Sequence, residues 1–525
     1  MTTELPDTQR AIQLTGPDTL ELNRAKPVPQ PGPHQILARV EVTGLCFSDL
    51  KLLKQFDGHV RKSAVTAVLD DTTLQSIPSY VPGPKPTVPG HETVVRVVAV
   101  GSAVETVTAG DRRLVQADYR WLKTAQSNAA FGYNFEGGLQ EYVCFDERVI
   151  LDPNGDSTLL PAPDDLPASA VALSEPWACV EDSYVARERC EPLAGGRSLA
   201  VDCRDFDPAQ LNTIPDESLD DLVFRGANAD LLERLFPKMA KHGVVNIVQR
   251  GERFGRTVET PVGRLHYGGV RISGTTGDDP ADGYRRIPVT GEIRAGDKID
   301  VVGAAGPMGT MHVIRNLCQG VAGVAVWGGD MSTERLAQLA KLADPLAAAN
   351  QVQFHTYHAK DNPPQEPFNY IALMVPAPAL VAAAVARAAP GAIINIFAGI
   401  PAHVTHPVDL DTYIDRNLYF IGTSGSTIED MRIVLQKVTD RRLDTNLSVA
   451  AVSGLDGAVD GIRAVEHQAI PGKIIVYPAC AGLPLTPLAQ LATTYPAVGA
   501  ELNNGAWTAA AEAALLAQFN PGTGA

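Results

Sequence analysis

Three short segments carry side chains able to hold a divalent metal: Gly44-Leu-Cys46-Phe-Ser48-Asp49, Pro89-Gly90-His91-Glu92 and Glu175-Pro-Trp-Ala-Cys-Val180. Each alone has a bland reading. A cysteine before a polar turn is commonly just buried, a single histidine is commonly structural, and an acidic residue before proline commonly opens a helix. Taken in order, Cys46, His91 and Glu175 supply one thiolate, one imidazole and one carboxylate. A catalytic zinc takes three protein ligands and keeps one position open for water or substrate. A second chemical feature is Val302-Gly303-Ala-Ala-Gly306-Pro307-Met308-Gly309, which follows a short apolar strand and opens a helix. Glycines there let backbone approach a pyrophosphate, and the helix N-terminus favours its charge. The Gly-x-x-Gly-x-x-Gly spacing is one residue longer than the commonest form.

These residues must be positioned by two kinds of structure. Residues 1 to about 185 alternate β-rich runs, such as Gln35–Val42 and Thr93–Val100, with Gly/Pro turns. This predicts a mostly antiparallel, barrel-like domain. From about 290, short apolar strands (Lys298–Val302, Val324–Trp327) alternate with helical stretches, which predicts a parallel α/β sheet. A repeat is visible as well. Leu222–Phe224, a helix, Val244–Val248 and Ile272–Gly277 have counterparts in Ile371–Leu373, a helix, Ile393–Phe397 and Ile421–Gly425. Asn246 aligns with Asn395 and Gly274 with Gly422, at offsets of 149 and 148. Val201-Asp202 is matched to the strand near Phe354. Residues 190–288 therefore read as a second copy of the latter half of a dinucleotide-type sheet, without a glycine turn in front of it.

The whole chain has 525 residues, with 45% apolar and 20% charged residues, so it is globular rather than disordered or fibrous. A formal charge of −16 argues against nucleic acid or an anionic membrane as the main partner. The apolar stretch 377–400 is broken by Pro378, Arg387 and Pro390, and Met1 to Arg10 does not resemble a signal peptide. Seven scattered cysteines do not form a disulfide framework. A cytoplasmic protein is expected. The Ala-rich helix Thr508–Gln518 reads as a packing or oligomer arm.

In its motifs the chain resembles the zinc-dependent medium-chain dehydrogenases, the alcohol, sorbitol and threonine dehydrogenase family. The residues that carry this are Gly44–Asp49, Gly90-His-Glu92, the strand Gly137-Gly138 to Val143, Glu175–Val180, the turn at 303–309 and the closing strand Pro471–Tyr477. A narrower similarity, from the tail and the long Cys-to-His gap, is to the L-sorbose-1-phosphate reductase-like branch. The resemblance implies a GroES-like β-barrel catalytic domain and a Rossmann-type doubly wound parallel sheet, with an inserted half-Rossmann-like α/β segment. The expected division is 1–189 (with an insertion at 56–87), 190–288, 289–426 and 427–525.

By that resemblance Cys46, His91 and Glu175 are zinc ligands, and Glu92 is a ligand in some states or supports one. Ser48 passes the substrate proton toward solvent, and Asp49 orients a ligand. Gly303, Gly306, Pro307, Met308 and Gly309 cradle the dinucleotide. Asp330, with Arg335 nearby, corresponds to the acidic position at the adenosine ribose. A carboxylate there favours NAD over NADP, although Asp330 also reads as a plain helix N-cap. The implied enzyme transfers a hydride between NAD and a polyol, sugar, sugar phosphate or secondary alcohol, carries one catalytic zinc and works as a homo-oligomer, a dimer or tetramer. With no cysteine between Cys46 and Cys144, the structural zinc of the alcohol-type members is not expected. Lys51 stands where some alcohol dehydrogenases have a relay histidine, and reads as a solvated lysine. The 56–87 segment is expected to be a surface element beside the substrate cleft. Two other readings stand beside this one: a zinc-free quinone or enoyl reductase, which has no need of the three ligands together, and a non-catalytic nucleotide-binding scaffold.

Overall fold

The computed structural model describes residues 5–423 and 425–519. The chain forms two compact units, one from Met1–Ala178 with Thr427–Ala525 and the other from Cys179–Ser426. The second unit thus holds both the 190–288 segment and the glycine turn.

The first unit is built on strand β1 (Gln35–Leu45), which runs into helix α1 (Phe47–Gln55), and on β2 (Glu92–Val100). β1 is central and pairs antiparallel with β2, with Tyr142–Asp146 and with Lys473–Val476. Its position in the middle of an eight-stranded sheet explains why every residue of it except Arg39 and Glu41 is buried. Ile36, Val40, Val95, Val97 and Val143 fill one core beneath it. The 56–87 segment is not confined to the surface: Val65, Leu74, Ile77 and Tyr80 belong to that same core, and Lys62 is fully buried. Helix α2 (Ser174–Val185) carries Glu175 in its first turn.

The second unit contains two parallel sheets. The first has strands β3 (Ser198–Asp202), β4 (Leu219–Arg225), β5 (Met239–Val248) and β7 (Arg271–Thr275), in the order β3-β4-β5-β7. Helix α3 (Ala229–Leu235) joins β4 to β5, and the short strand β6 (Val258–Thr260) and helix α4 (Val262–Tyr267) lie between β5 and β7.

The second sheet begins with β8 (Lys298–Val302), helix α5 (Pro307–Cys318), β9 (Ala325–Asp330), helix α6 (Thr333–Asn350) and β10 (Gln353–His358). It continues with β11 (Phe368–Leu373), α7 (Pro378–Arg387), β12 (Ala388–Ile396), β13 (His406–Val408), α8 (Leu410–Asp415) and β14 (Tyr419–Ile421). Its order, β10-β9-β8-β11-β12-β14, reverses direction at β8, the doubly wound pattern. One sequence match needs correction. β3 lies beside β4 as β8 lies beside β11, so Val201-Asp202 corresponds to β8, whereas the strand of Phe354 is β10, at the far edge.

The chain returns to the first unit through β15 (Lys473–Val476) and ends, among the described residues, with α9 (Ala509–Phe519). Glu512 on α9 is buried and accepts hydrogen bonds from the backbone N–H groups of Ala168 and Ser169 and from the Tyr477 hydroxyl. The tail helix is therefore packed into the first unit. No helix of the described residues is long and apolar enough to cross a membrane.

Candidate functional site

Cys46 is the N-cap of α1, where β1 stops, and His91 sits immediately before β2. Because β1 and β2 are hydrogen-bonded neighbours, with Gly44 opposite Glu92, the two motifs meet at one end of the sheet. A side chain at position 44 would overlap the Glu92 carboxylate, so the glycine there makes room for it. Among the described residues, ligand atoms of Cys46, His91 and Glu92 lie within 4.8 Å of one another, and no other group of three or more such side chains is drawn as close.

The surrounding bonds orient this cluster. Asp49 accepts a hydrogen bond from the Cys46 N–H (3.1 Å) with one oxygen and holds His91 Nδ1 (3.1 Å) with the other. That leaves His91 Nε2 facing Ser48 Oγ at 3.1 Å, while the Ser48 hydroxyl also reaches Cys46 Sγ at 3.2 Å. Burial opposes a charge on His91, but the Asp49 carboxylate and the Cys46 sulfur outweigh it and hold its pKa well above the ordinary value. A cation and a proton compete for such a ring nitrogen. Glu92 is fully buried; one oxygen pairs with Lys473, and the other has no hydrogen-bond partner. An orphaned carboxylate oxygen beside a thiol and an imidazole is a donor set that suits zinc.

Glu175 is buried close enough to feel the cluster but is not one of the three side chains drawn tightest. Burial pushes its pKa up to about 7, with His91 pulling it down and Glu92 pushing it further up. Lys473 was not singled out from the sequence. Burial disfavours its charge, yet Glu92 beside it outweighs this and keeps the ammonium above its ordinary value. A signal existed: a lysine opening the otherwise apolar run Lys473-Ile-Ile-Val-Tyr477 needs a buried anion. Tyr133 was missed as well. Its hydroxyl lies near Ser48, its ring lies 5.1 Å from that of His59, and Arg61 stands over it at 5.5 Å. His59 and Arg61 come from the 56–87 segment, and Arg61 is ion-paired with Asp118 at 2.6 Å.

In the second unit, the turn after β8 has Gly303 at φ +85°, a region that favours glycine. A side chain at 309 would run into the backbone of Gly303 and Ala304, so helix α5 closes on the turn only because residue 309 is glycine. Gly306 is the N-cap and Pro307 the first residue of α5, followed by Met308. Gly329 O accepts from the N–H groups of both Gly303 and Ala304 (2.8 and 2.9 Å). Asp330 ends β9 and is buried; it accepts from Ala305 N (3.3 Å), Ser332 N (3.0 Å) and Arg335 Nη2 (3.1 Å). The N-cap of α6 is Ser332, so Asp330 is not the helix cap. The turn, Asp330 and Arg335 are thus gathered at the switch point of the doubly wound sheet, where such folds bind nucleotides.

Comparison with known proteins places this geometry. Residues 32–154 match the alcohol dehydrogenase GroES-like domain. The chain is 31% identical over 152 residues to L-sorbose 1-phosphate reductase of Klebsiella pneumoniae, covering 29% of this chain and 36% of the relative. The GroES-like domain of the alcohol dehydrogenases is thus present in this chain, and its curated relatives include zinc-type alcohol dehydrogenase-like proteins. L-threonine 3-dehydrogenase of Rhizobium rhizogenes is 26% identical over 161 residues, 29% of this chain and 38% of that one. The chain spans little more than a third of the length of either relative. Its fold is that of 2R,3R-butanediol dehydrogenase from Bacillus subtilis, with a TM-score of 0.54 at 16% identity over 90% of this chain and all of that one. The GroES-like domain and the Rossmann-type sheet expected from the sequence are both present.

Proposed function

We propose that the protein is a zinc-dependent oxidoreductase that transfers a hydride between NAD and a polyol, sugar, sugar phosphate or secondary alcohol. The observation that carries this reading is the cluster of Cys46, His91 and Glu92, with Ser48 in reach of both the thiol and the imidazole. Cys46, His91 and Glu175 would hold the metal, with Glu92 as an exchanging ligand or its support. When bound, zinc supplies a Lewis acid that acidifies a substrate hydroxyl or polarises a carbonyl. The remaining work falls to the chain. Asp49 fixes the His91 tautomer, so that Nε2 faces inward. Ser48 Oγ takes the hydroxyl proton, and the hydroxyl of Tyr133 stands nearby. Lys473 pairs with Glu92 and holds its carboxylate in place. The turn Gly303–Gly309 would seat the NAD pyrophosphate, and Asp330 the adenosine ribose, with Arg335 at its side. The sugar class is favoured by the similarity to L-sorbose 1-phosphate reductase. The expected setting is the cytoplasm and the expected assembly a homo-oligomer.

Metal analysis should find one zinc per chain, and a nicotinamide-reduction screen over polyols, sugars and sugar phosphates should find turnover. Cys46→Ala should reduce kcat by roughly a thousandfold or more, with Tm little changed, since the ligands sit on an independently cored sheet. Full activity in Cys46→Ala would overturn the reading and favour a metal-free reductase.

A further inference from the structure

Six elements of 190–288, from β4 to β7, recur one for one later in the same unit. β4, α3 and β5 start 149 residues before β11, α7 and β12, and β6, α4 and β7 start 148 residues before β13, α8 and β14. The two copies also meet in a particular way. β6 pairs antiparallel with β13, with Val258 opposite Val408, Glu259 opposite Pro407 and Thr260 opposite His406. Pro407 is the repeat counterpart of Glu259, Val408 of Thr260 and His406 of Val258. Glu259 therefore faces its own counterpart, and its neighbours face each other's. That pattern defines a two-fold axis through one residue pair, the self-complementary contact of a symmetric dimer, found here inside one chain.

Contacts away from the axis also join the two copies, and those at the two glycines obey the same symmetry. The Tyr413 hydroxyl on α8 donates to Ile272 O on β7 at 2.7 Å, and His266 Nδ1 on α4 meets Ile396 O on β12 at 3.1 Å. A Cβ on Gly274 would sit 3.1 Å from Ile414 Cγ1, and a Cβ on Gly422 would sit 3.0 Å from His266 Cα. Ile414 is the repeat counterpart of His266. The pair of glycines conspicuous in the sequence is thus explained: each lets the opposite copy's helix approach its edge strand. Val258, Leu265 and Ile272 from one copy share a single buried core with Val408, Tyr413 and Phe420 from the other. The segment also leaves and rejoins the chain at one place, since Glu188 N donates to Val289 O at 2.9 Å.

We infer that residues 190–288 are a built-in partner: they occupy, within the same chain, the two-fold surface of β13, α8 and β14 on which the same edge of a second copy would otherwise pair. An apolar strand edge needs a cover, and this chain carries its own. Any homo-oligomer it forms uses other surfaces.

The test uses thiols on the axis of the full-length protein. Facing Cα atoms across an antiparallel ladder lie about 4.5–5.5 Å apart, inside disulfide range. Glu259→Cys with Pro407→Cys should, on mild oxidation, form a cross-link within one chain, at a rate independent of protein concentration and assigned by peptide mapping. Pro407→Cys alone should give no covalent dimer, because the axis position opposite it is filled from the same chain. A two-chain disulfide through position 407 in either variant, or absence of the internal cross-link in the double variant, would overturn the inference. If the first pair fails to fold, Thr260→Cys with His406→Cys reads the same ladder one step away.

Discussion

In the two copies of the repeated half-sheet, the strands and helices from β4 to β7 and from β11 to β14 follow one another at nearly constant offset, and both carry a buried asparagine, Asn246 or Asn395, at the same point. They differ in what precedes them. β8 runs into Gly303, the N-cap Gly306 and the twelve-residue helix α5. β3 runs instead into Asp202, which is ion-paired with Arg250 at 2.6 Å, and then into a short 3-10 turn, Pro208–Thr213, capped by Asp207. The first copy has a sheet with no long helix whose N-terminus could meet a phosphate, and acidic side chains where the second copy has bare backbone. The lesson is that the sheet supplies packing and the turn supplies the nucleotide site. The copy that lacks the turn has been put to use as a cover for the other.

The comparison can be broken most forcefully at the turn. NAD titration should find one site per chain, and Gly309→Val should lower NAD affinity by about a hundredfold or more, because the new side chain collides with the backbone of Gly303 and Ala304. A second site that survives this change would mean that 190–288 binds nucleotide too. Next in size, Gly274→Val and Gly422→Val should each destabilise by about 1–3 kcal/mol through overpacking against the opposite copy, a fall in Tm of several degrees in a unit of this size. Thermal unfolding that is sensitive to only one of them would deny the two-fold relation. A smaller effect is expected at Asp330. Asp330→Ala should cut the preference for NAD over NADP about tenfold in kcat/KM, as the carboxylate's bonds and its repulsion of phosphate vanish together; a wild-type enzyme that prefers NADP would refute this assignment. The smallest effect belongs to the first copy. Asp202→Ala removes a partly exposed ion pair and should change stability by no more than about 0.5 kcal/mol, with NAD affinity untouched.

What could be read in the sequence was local or repetitive. The order of Cys46, Ser48 and Asp49 is fixed within a single helical turn, and the structure places all three around His91. The glycine turn is a strand, a bend and a helix start in twelve consecutive residues, so its spacing alone reports its geometry. The duplication was visible because equal folds keep equal offsets. The 56–87 segment was misjudged as a surface element because nothing in its own periodicity says that Leu74, Ile77 and Tyr80 pack beneath a distant sheet.

The sequence by itself determined the donor types, the turn and the presence of two half-sheets, all of which follow from chemistry within a few residues or from repetition. Only the tertiary structure decided that Glu92 is paired with Lys473, 381 residues away, while Cys46, His91 and Glu92 draw closer than Glu175 does. It likewise decided that β6 lies on β13 across a two-fold axis. The physical reason is that strand register and helix approach are set by how whole faces are buried. A side chain's own neighbours in sequence carry no record of which distant face it will meet.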